Sequence, residues 1–196
     1  MQFDHGLICS MGEKIQAEFI ENFLVVWDSS DGSKLYRQGY YGKPLGIPKP
    51  KIMEFNVPLI LDLMEGMYLA EKRIVAVEEG VKKKKSVNLR KLRQRARELY
   101  EEFDIKYVVY RDLRENGLIV TPGIKFGCDF AVYKQGPGVE HAPFMVSVKK
   151  ANDEVTATEI VKTGRLATTV RKRFIIAVPE SDTGKIRYLI FKWFKA

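Results

Sequence analysis

Three polar side chains in the second half of the chain have the types needed to move protons around a phosphate. Tyr133 closes the apolar stretch Cys128–Lys134, His141 follows a loop of glycine and proline, and Lys172 stands between Arg171 and Arg173. A histidine works as an acid or a base near neutral pH. A tyrosine, with an ordinary pKa of about 10, becomes a useful base only beside cations. Lys172 and its two arginines supply such cations, and a fixed ammonium also offsets charge developing on a phosphate. Base, acid and fixed cation together are what cleavage of RNA through its own 2′-hydroxyl requires without a metal. Each residue alone also has a plain structural explanation: a surface histidine, a half-buried strand tyrosine, and a lysine offsetting a helix C-terminus. Only a fold that joins the three segments would make a site of them.

The surrounding sequence predicts elements able to do so. Asp104 can cap a helix over Tyr107–Glu115, and Asn116-Gly117 stops it with a left-handed turn. Strands are expected at Leu118–Thr121, Cys128–Lys134, Phe144–Val148, Phe174–Val178 and Ile186–Phe194. Thr156 and Glu159 have the spacing of a capping box, opening a long helix with a buried stripe of Ile160, Val161, Leu166, Ala167 and Val170. Phe174–Val178 is apolar on both faces, which predicts a central strand covered on both sides. This half therefore reads as an α/β domain, residues 104–196, with a mixed sheet and one helix crossing it.

The first half, residues 1–103, reads as a small α+β domain. Strands are expected at Lys14–Ile20 and Phe23–Trp27, turning at Glu21-Asn22, followed by a loop over Asp28–Ser33 and a short strand over Leu35–Tyr41. Gly42–Pro50 is turn-rich. Asn56 looks like the cap of a helix with Pro58 in its first turn and an apolar face from Leu59 to about Lys72. Ile74–Val77 is a further short strand. Ser86 is a plausible cap for a helix with a narrow stripe of Leu89, Leu92, Ala96 and Leu99, preceded by the run Lys82–Lys85. That run reads as a solvated loop, with RNA contact as the alternative. His5 reads as a solvated terminal residue.

Bulk properties narrow the function classes. In 196 residues, 45% are hydrophobic and 30% charged, a globular composition. No apolar run approaches the 18 residues of a membrane span, and the N-terminus lacks the pattern of a signal peptide. Cys9 and Cys128 are the only cysteines. With two histidines and no paired cysteines, no structural zinc site, metal or cofactor is expected, and a reducing cytoplasm is the default location. The net charge is +8, and residues 105–196 carry 16 Lys and Arg against 9 Asp and Glu. Such an excess suits a polyanion such as nucleic acid, or simply solubility.

The stretches Tyr107–Val120 and Phe126–Tyr133, then His141 and Val170–Lys172, closely resemble the tRNA-intron (tRNA-splicing) endonucleases, especially the archaeal ones. The resemblance runs through the whole C-terminal domain. The N-terminal half is similar, less specifically, to the family's accessory domain. It implies that Tyr133 is the general base, His141 the general acid and Lys172 the residue stabilising the transition state. The implied activity is cutting precursor tRNA at exon–intron junctions, in bulge–helix–bulge RNA, without metal. The implied products are 2′,3′-cyclic phosphate and 5′-hydroxyl ends. Arg165 matches one member of a cation–π pair that grips a flipped bulge base from the opposite subunit, and Trp193 falls where the second member lies. Glu180 and Asp182 match an acidic loop that docks into a neighbour's basic groove. With one catalytic domain, the chain is expected to act as a homotetramer or as a heterotetramer with a structural chain.

Two other readings use the same residues. Asp129 could open a metal-dependent D…(D/E)xK nuclease site, but Ser147 stands where the second carboxylate belongs. A non-catalytic RNA-binding or scaffolding subunit of the family would typically lack the triad, which is present here.

Overall fold

The computed structural model describes residues 13–48, 50, 52–80, 84–169, 172–180 and 183–191. His5, Cys9, Lys82, Lys83, Val170, Arg171, Asp182 and Trp193 lie outside the described residues. The chain divides into two compact units between Glu101 and Glu102. Both combine helices with a mixed sheet, the α+β composition expected. Among the described residues no helix is long and apolar enough to cross a membrane.

The first unit contains β1 (Ile15–Ile20), β2 (Phe23–Val26), α1 (Ser29–Gly39), β3 (Lys43–Pro44), β4 (Leu59–Leu61), α2 (Leu63–Glu71), β5 (Val75–Glu79), β6 (Lys85–Ser86) and α3 (Leu89–Leu99). Its sheet runs β3-β4-β2-β1-β5-β6, with β1 and β5 parallel and the other pairs antiparallel.

Three sequence expectations fail here. Where a loop and a strand were predicted, Asp28 caps α1 by accepting from the Asp31 N–H at 2.9 Å. Gly32, Leu35 and Tyr36 then fall on one helical face and are buried, so tertiary packing overrides the strand propensity of the tyrosines. Asn56 caps nothing. Leu59 and Leu61 are buried in β4, and the helix starts only at the capping box formed by Asp62 and Glu65. Ser86 belongs to β6, while the Asn88 side chain caps α3 by accepting from the Lys91 N–H at 2.9 Å.

The second unit contains α4 (Phe103–Glu115), β7 (Ile119–Pro122), β8 (Phe130–Tyr133), β9 (Phe144–Val148), α5 (Ala157–Thr169), β10 (Arg173–Pro179) and β11 (Ile186–Phe191). The sheet order is β11-β10-β9-β8-β7. All pairs are antiparallel except β9 and β10, which α5 joins as a parallel crossover. β10 is an inner strand, packed by α4 and α5, as its two apolar faces required.

Helix α4 starts earlier than its expected Asp104 cap. Glu102 enters it in a left-handed conformation with no side-chain cap bond. Phe103, 2% exposed, stacks on Tyr107 at 5.4 Å, an i,i+4 aromatic pair that extends the helix by a turn. Asp104 sits in the first turn, where its charge favours the helix dipole. Gly117, with φ of 77°, makes the predicted left-handed stop. The Thr156–Glu159 capping box of α5 forms in both directions: the Glu159 N–H donates to Thr156 Oγ1 at 3.2 Å, and the Thr156 N–H to Glu159 Oε2 at 2.9 Å. Of the stripe expected on α5, Ile160 is half-buried, whereas Val161 is 44% exposed and does not belong to it.

Candidate active site

Strand register brings the three chemistry-bearing segments together. β8 and β9 run antiparallel with Val132 opposite Phe144, while β9 and β10 run parallel with Arg173 opposite the same Phe144. Tyr133 lies one residue beyond Val132, and Lys172 one residue ahead of Arg173. Both therefore flank Pro143, at one end of the sheet, and His141 lies two residues upstream of it. With strands spaced about 4.8 Å apart, the Tyr133 and Lys172 backbones are roughly 10 Å apart. Two long side chains can close that span on a single phosphate.

The same register decides which way they face. Residues paired across strands share a face, and successive residues alternate. Ala131 pairs with Met145, and Met145 with Phe174. Tyr133 is two residues after Ala131, and Lys172 two before Phe174, so both fall on the Met145 face. That face carries the cluster of Met145, Phe174 and Ile176, against which Phe126 and Cys128 pack.

The Lys172 ammonium is held at two points. It donates to the Ala142 carbonyl at 2.6 Å and lies 4.8 Å from the centroid of the Phe126 ring. A carbonyl and an aromatic face both attract a cation without neutralising it. Burial pulls the Lys172 pKa below its ordinary value. Cys128 stays a neutral thiol, because burial, reinforced by the charge of Asp129, pushes its pKa up to about 11. Asp129 itself accepts from the Val148 N–H at 2.8 Å and pairs with Lys106 at 3.0 Å. Its carboxylate thus ties the start of β8 to the end of β9 and to α4.

His141 is exposed and Tyr133 half-buried. The loop joining them folds back on itself: the Glu140 N–H donates to the Gly136 carbonyl at 3.2 Å. The Glu140 carboxylate accepts from the backbone N–H groups of Lys134 and Gln135. Sequence reasoning passed over Glu140, Phe126 and the Ala142 carbonyl. None belongs to a periodic pattern, and a backbone carbonyl leaves no trace in residue type.

Two of the remaining candidates are among the described residues. Arg165 is an exposed residue of α5. Glu180 is engaged within its own hairpin, accepting from the Thr183 hydroxyl at 2.8 Å and pairing with Arg187. These partners lower its pKa, the threonine hydrogen bond most. Trp193 and Asp182 lie outside the described residues.

Both units have counterparts among known proteins. Residues 103–188 match the tRNA intron endonuclease catalytic C-terminal domain, and residues 15–93 match the N-terminal domain of the same family. A tRNA-splicing endonuclease of Hyperthermus butylicus is 46% identical over 183 residues, covering 92% of this chain and 99% of the relative. The chain belongs to the tRNA intron endonuclease family. A second tRNA-splicing endonuclease, from Sulfurisphaera tokodaii, is 41% identical over 91% of this chain and 98% of its own length. One from Saccharolobus islandicus is 37% identical over 92% and 99%. In this tRNA intron endonuclease chain, the end of the sheet bearing Tyr133, His141 and Lys172 falls within the matched catalytic domain.

Proposed function

We propose that this chain is the catalytic subunit of a tRNA intron endonuclease that cuts precursor tRNA at exon–intron junctions in bulge–helix–bulge RNA. Tyr133 takes the proton of the 2′-hydroxyl at the junction. The 2′-oxygen attacks phosphorus, a new P–O2′ bond forms, and the P–O5′ bond breaks. His141, protonated, gives its proton to the departing 5′-oxygen, and Lys172 faces the charge that gathers on the phosphate oxygens. No water is consumed, so the products are a 2′,3′-cyclic phosphate and a 5′-hydroxyl. A side-chain ammonium supplies the electrostatic stabilisation that metal-dependent nucleases take from an ion, so no metal enters the reaction.

One observation carries this reading. The β8–β9–β10 register sets Tyr133 and the doubly anchored Lys172 on either side of Pro143, two residues after His141. The excess of cations in residues 105–196 supports a polyanionic substrate. We further propose that Arg165 and Trp193 grip a flipped bulge base for the opposite subunit, and that Glu180 and Asp182 belong to a docking loop. The active form is a homotetramer, or a heterotetramer with a structural chain, working in the cytoplasm. Among the described residues β11 is an open edge of its sheet and exposes Leu189 and Ile190, by 51% and 50%. An open apolar edge of this kind favours association.

The test is incubation of the purified protein with a bulge–helix–bulge RNA in EDTA, followed by end-group analysis. Cleavage with cyclic phosphate ends is expected. Absence of cleavage, alone or with a partner subunit, overturns the enzyme reading, and cleavage abolished by EDTA overturns the metal-free mechanism.

A further inference from the structure

We propose that Glu140 is a positioning residue that sets the separation of Tyr133 and His141. The inference rests on reading those two as base and acid. Seven residues separate them in sequence, rich in glycine, and two of these have positive φ: Gly136 at 124° and Gly138 at 90°. Left to itself, such a segment samples many conformations. The Glu140 carboxylate removes that freedom. One of its oxygens, Oε1, accepts from two consecutive backbone N–H groups, those of Lys134 and Gln135. Successive N–H groups converging on one anion form a concave backbone nest, and hydrogen bonds to an ionised acceptor are stronger than neutral ones.

The ends of this clasp explain its consequence. The Lys134 N–H belongs to the peptide that follows Tyr133, and Glu140 is joined directly to His141. The clasp therefore connects the two proton-transfer residues across a few bonds, bypassing the loop. On the far side of His141, the Ala142 carbonyl is held by the Lys172 ammonium. His141, exposed and on no strand, thus stands between two restrained neighbours. Proton transfer needs heavy atoms within hydrogen-bonding reach, and displacement by about 1 Å can cost on the order of 10²-fold in rate.

Glu140→Ala and Glu140→Gln test this, measured by single-turnover cleavage of a bulge–helix–bulge RNA beside Tyr133→Phe and His141→Ala. The Ala variant is expected to cleave about 10²-fold more slowly while binding the RNA as the parent does. Its Lys134 and Gln135 amides are expected to exchange hydrogen faster. The Gln variant keeps an oxygen that both N–H groups can reach, so it is expected to recover most of the rate and the protection. If the Ala variant does not fold, Glu140→Asp replaces it, keeping the charge but shortening the reach, with the same slowing expected. Parental rates in the Ala or Asp variant overturn the clasp. So does loss of RNA affinity, or a Gln variant as slow as Ala. A parent that cleaves but tolerates both Tyr133→Phe and His141→Ala overturns the underlying reading of the site instead.

Discussion

In the proposed site the imidazole belongs to an exposed residue, while the ammonium is anchored. Lys172 has a carbonyl and a ring to hold it, so its charge is preorganised before any phosphate arrives. His141 has its neighbours Glu140 and Ala142 held, and its proposed role is to protonate the departing oxygen. His141→Ala is accordingly expected to slow cleavage by roughly 10²–10⁴-fold while leaving RNA affinity nearly intact. Single-turnover rates and a binding titration with the same RNA check this. A loss of binding as large as the loss of rate would make His141 a binding residue.

Among the elements, the parallel pair β9 and β10 does most to define the site, and what braces β10 matters in turn. β11 pairs with β10 along its whole length, and Tyr188 of β11 donates its hydroxyl to Asp112 of α4 at 2.6 Å. Burial raises the Tyr188 pKa, with the hydrogen bond to Asp112 and its charge adding to the effect. Because the folded pKa lies above the unfolded value of about 10, this stabilisation is complete below pH 10 and is lost as pH rises beyond it. Tyr188→Phe is expected to destabilise the fold by about 1–2 kcal/mol at neutral pH. It should also flatten the fall in stability above pH 10. Urea melts at pH 7 and pH 10.5 check both, and an unchanged midpoint at pH 7 would show the hydrogen bond contributes nothing net.

At the scale of the whole molecule, the proposed function, with one catalytic domain per chain and two junctions per intron, calls for more than one copy. Arg165 stands exposed on α5. Its proposed role as half of a base clamp acts in the neighbouring subunit. Arg165→Ala is therefore expected to weaken cleavage only when it sits in the subunit opposite the cut. Mixed assemblies carrying the substitution and His141→Ala on chosen subunits check this, with the mass of the assembly measured alongside. An effect confined to the same subunit would remove Arg165 from the clamp.

Much of this was legible in the sequence because it is governed by near neighbours. The Thr156–Glu159 capping box, the Gly117 stop, the strand at Phe144–Val148 and the doubly apolar β10 each depend on residues a few positions apart. Where short-range signals competed, the sequence misled. Tyrosines suggested a strand at α1, and Asn56 with Pro58 suggested a cap that Asp62 supplies instead, because burial of Leu35, Tyr36, Leu59 and Leu61 outweighed local preference. The residue types at Tyr133, His141 and Lys172 were visible from the start, and family resemblance joined them. Their common sheet end, and the face shared by Tyr133 and Lys172, were not visible, because these follow from pairings between strands distant in sequence, where a one-residue slip would reverse every side chain. The contact between Lys172 and Ala142 spans 30 residues, and the Glu140 clasp depends on backbone N–H groups that no residue code displays. Short-range chemistry determined the parts, and the register of three strands determined that they share one end of the sheet.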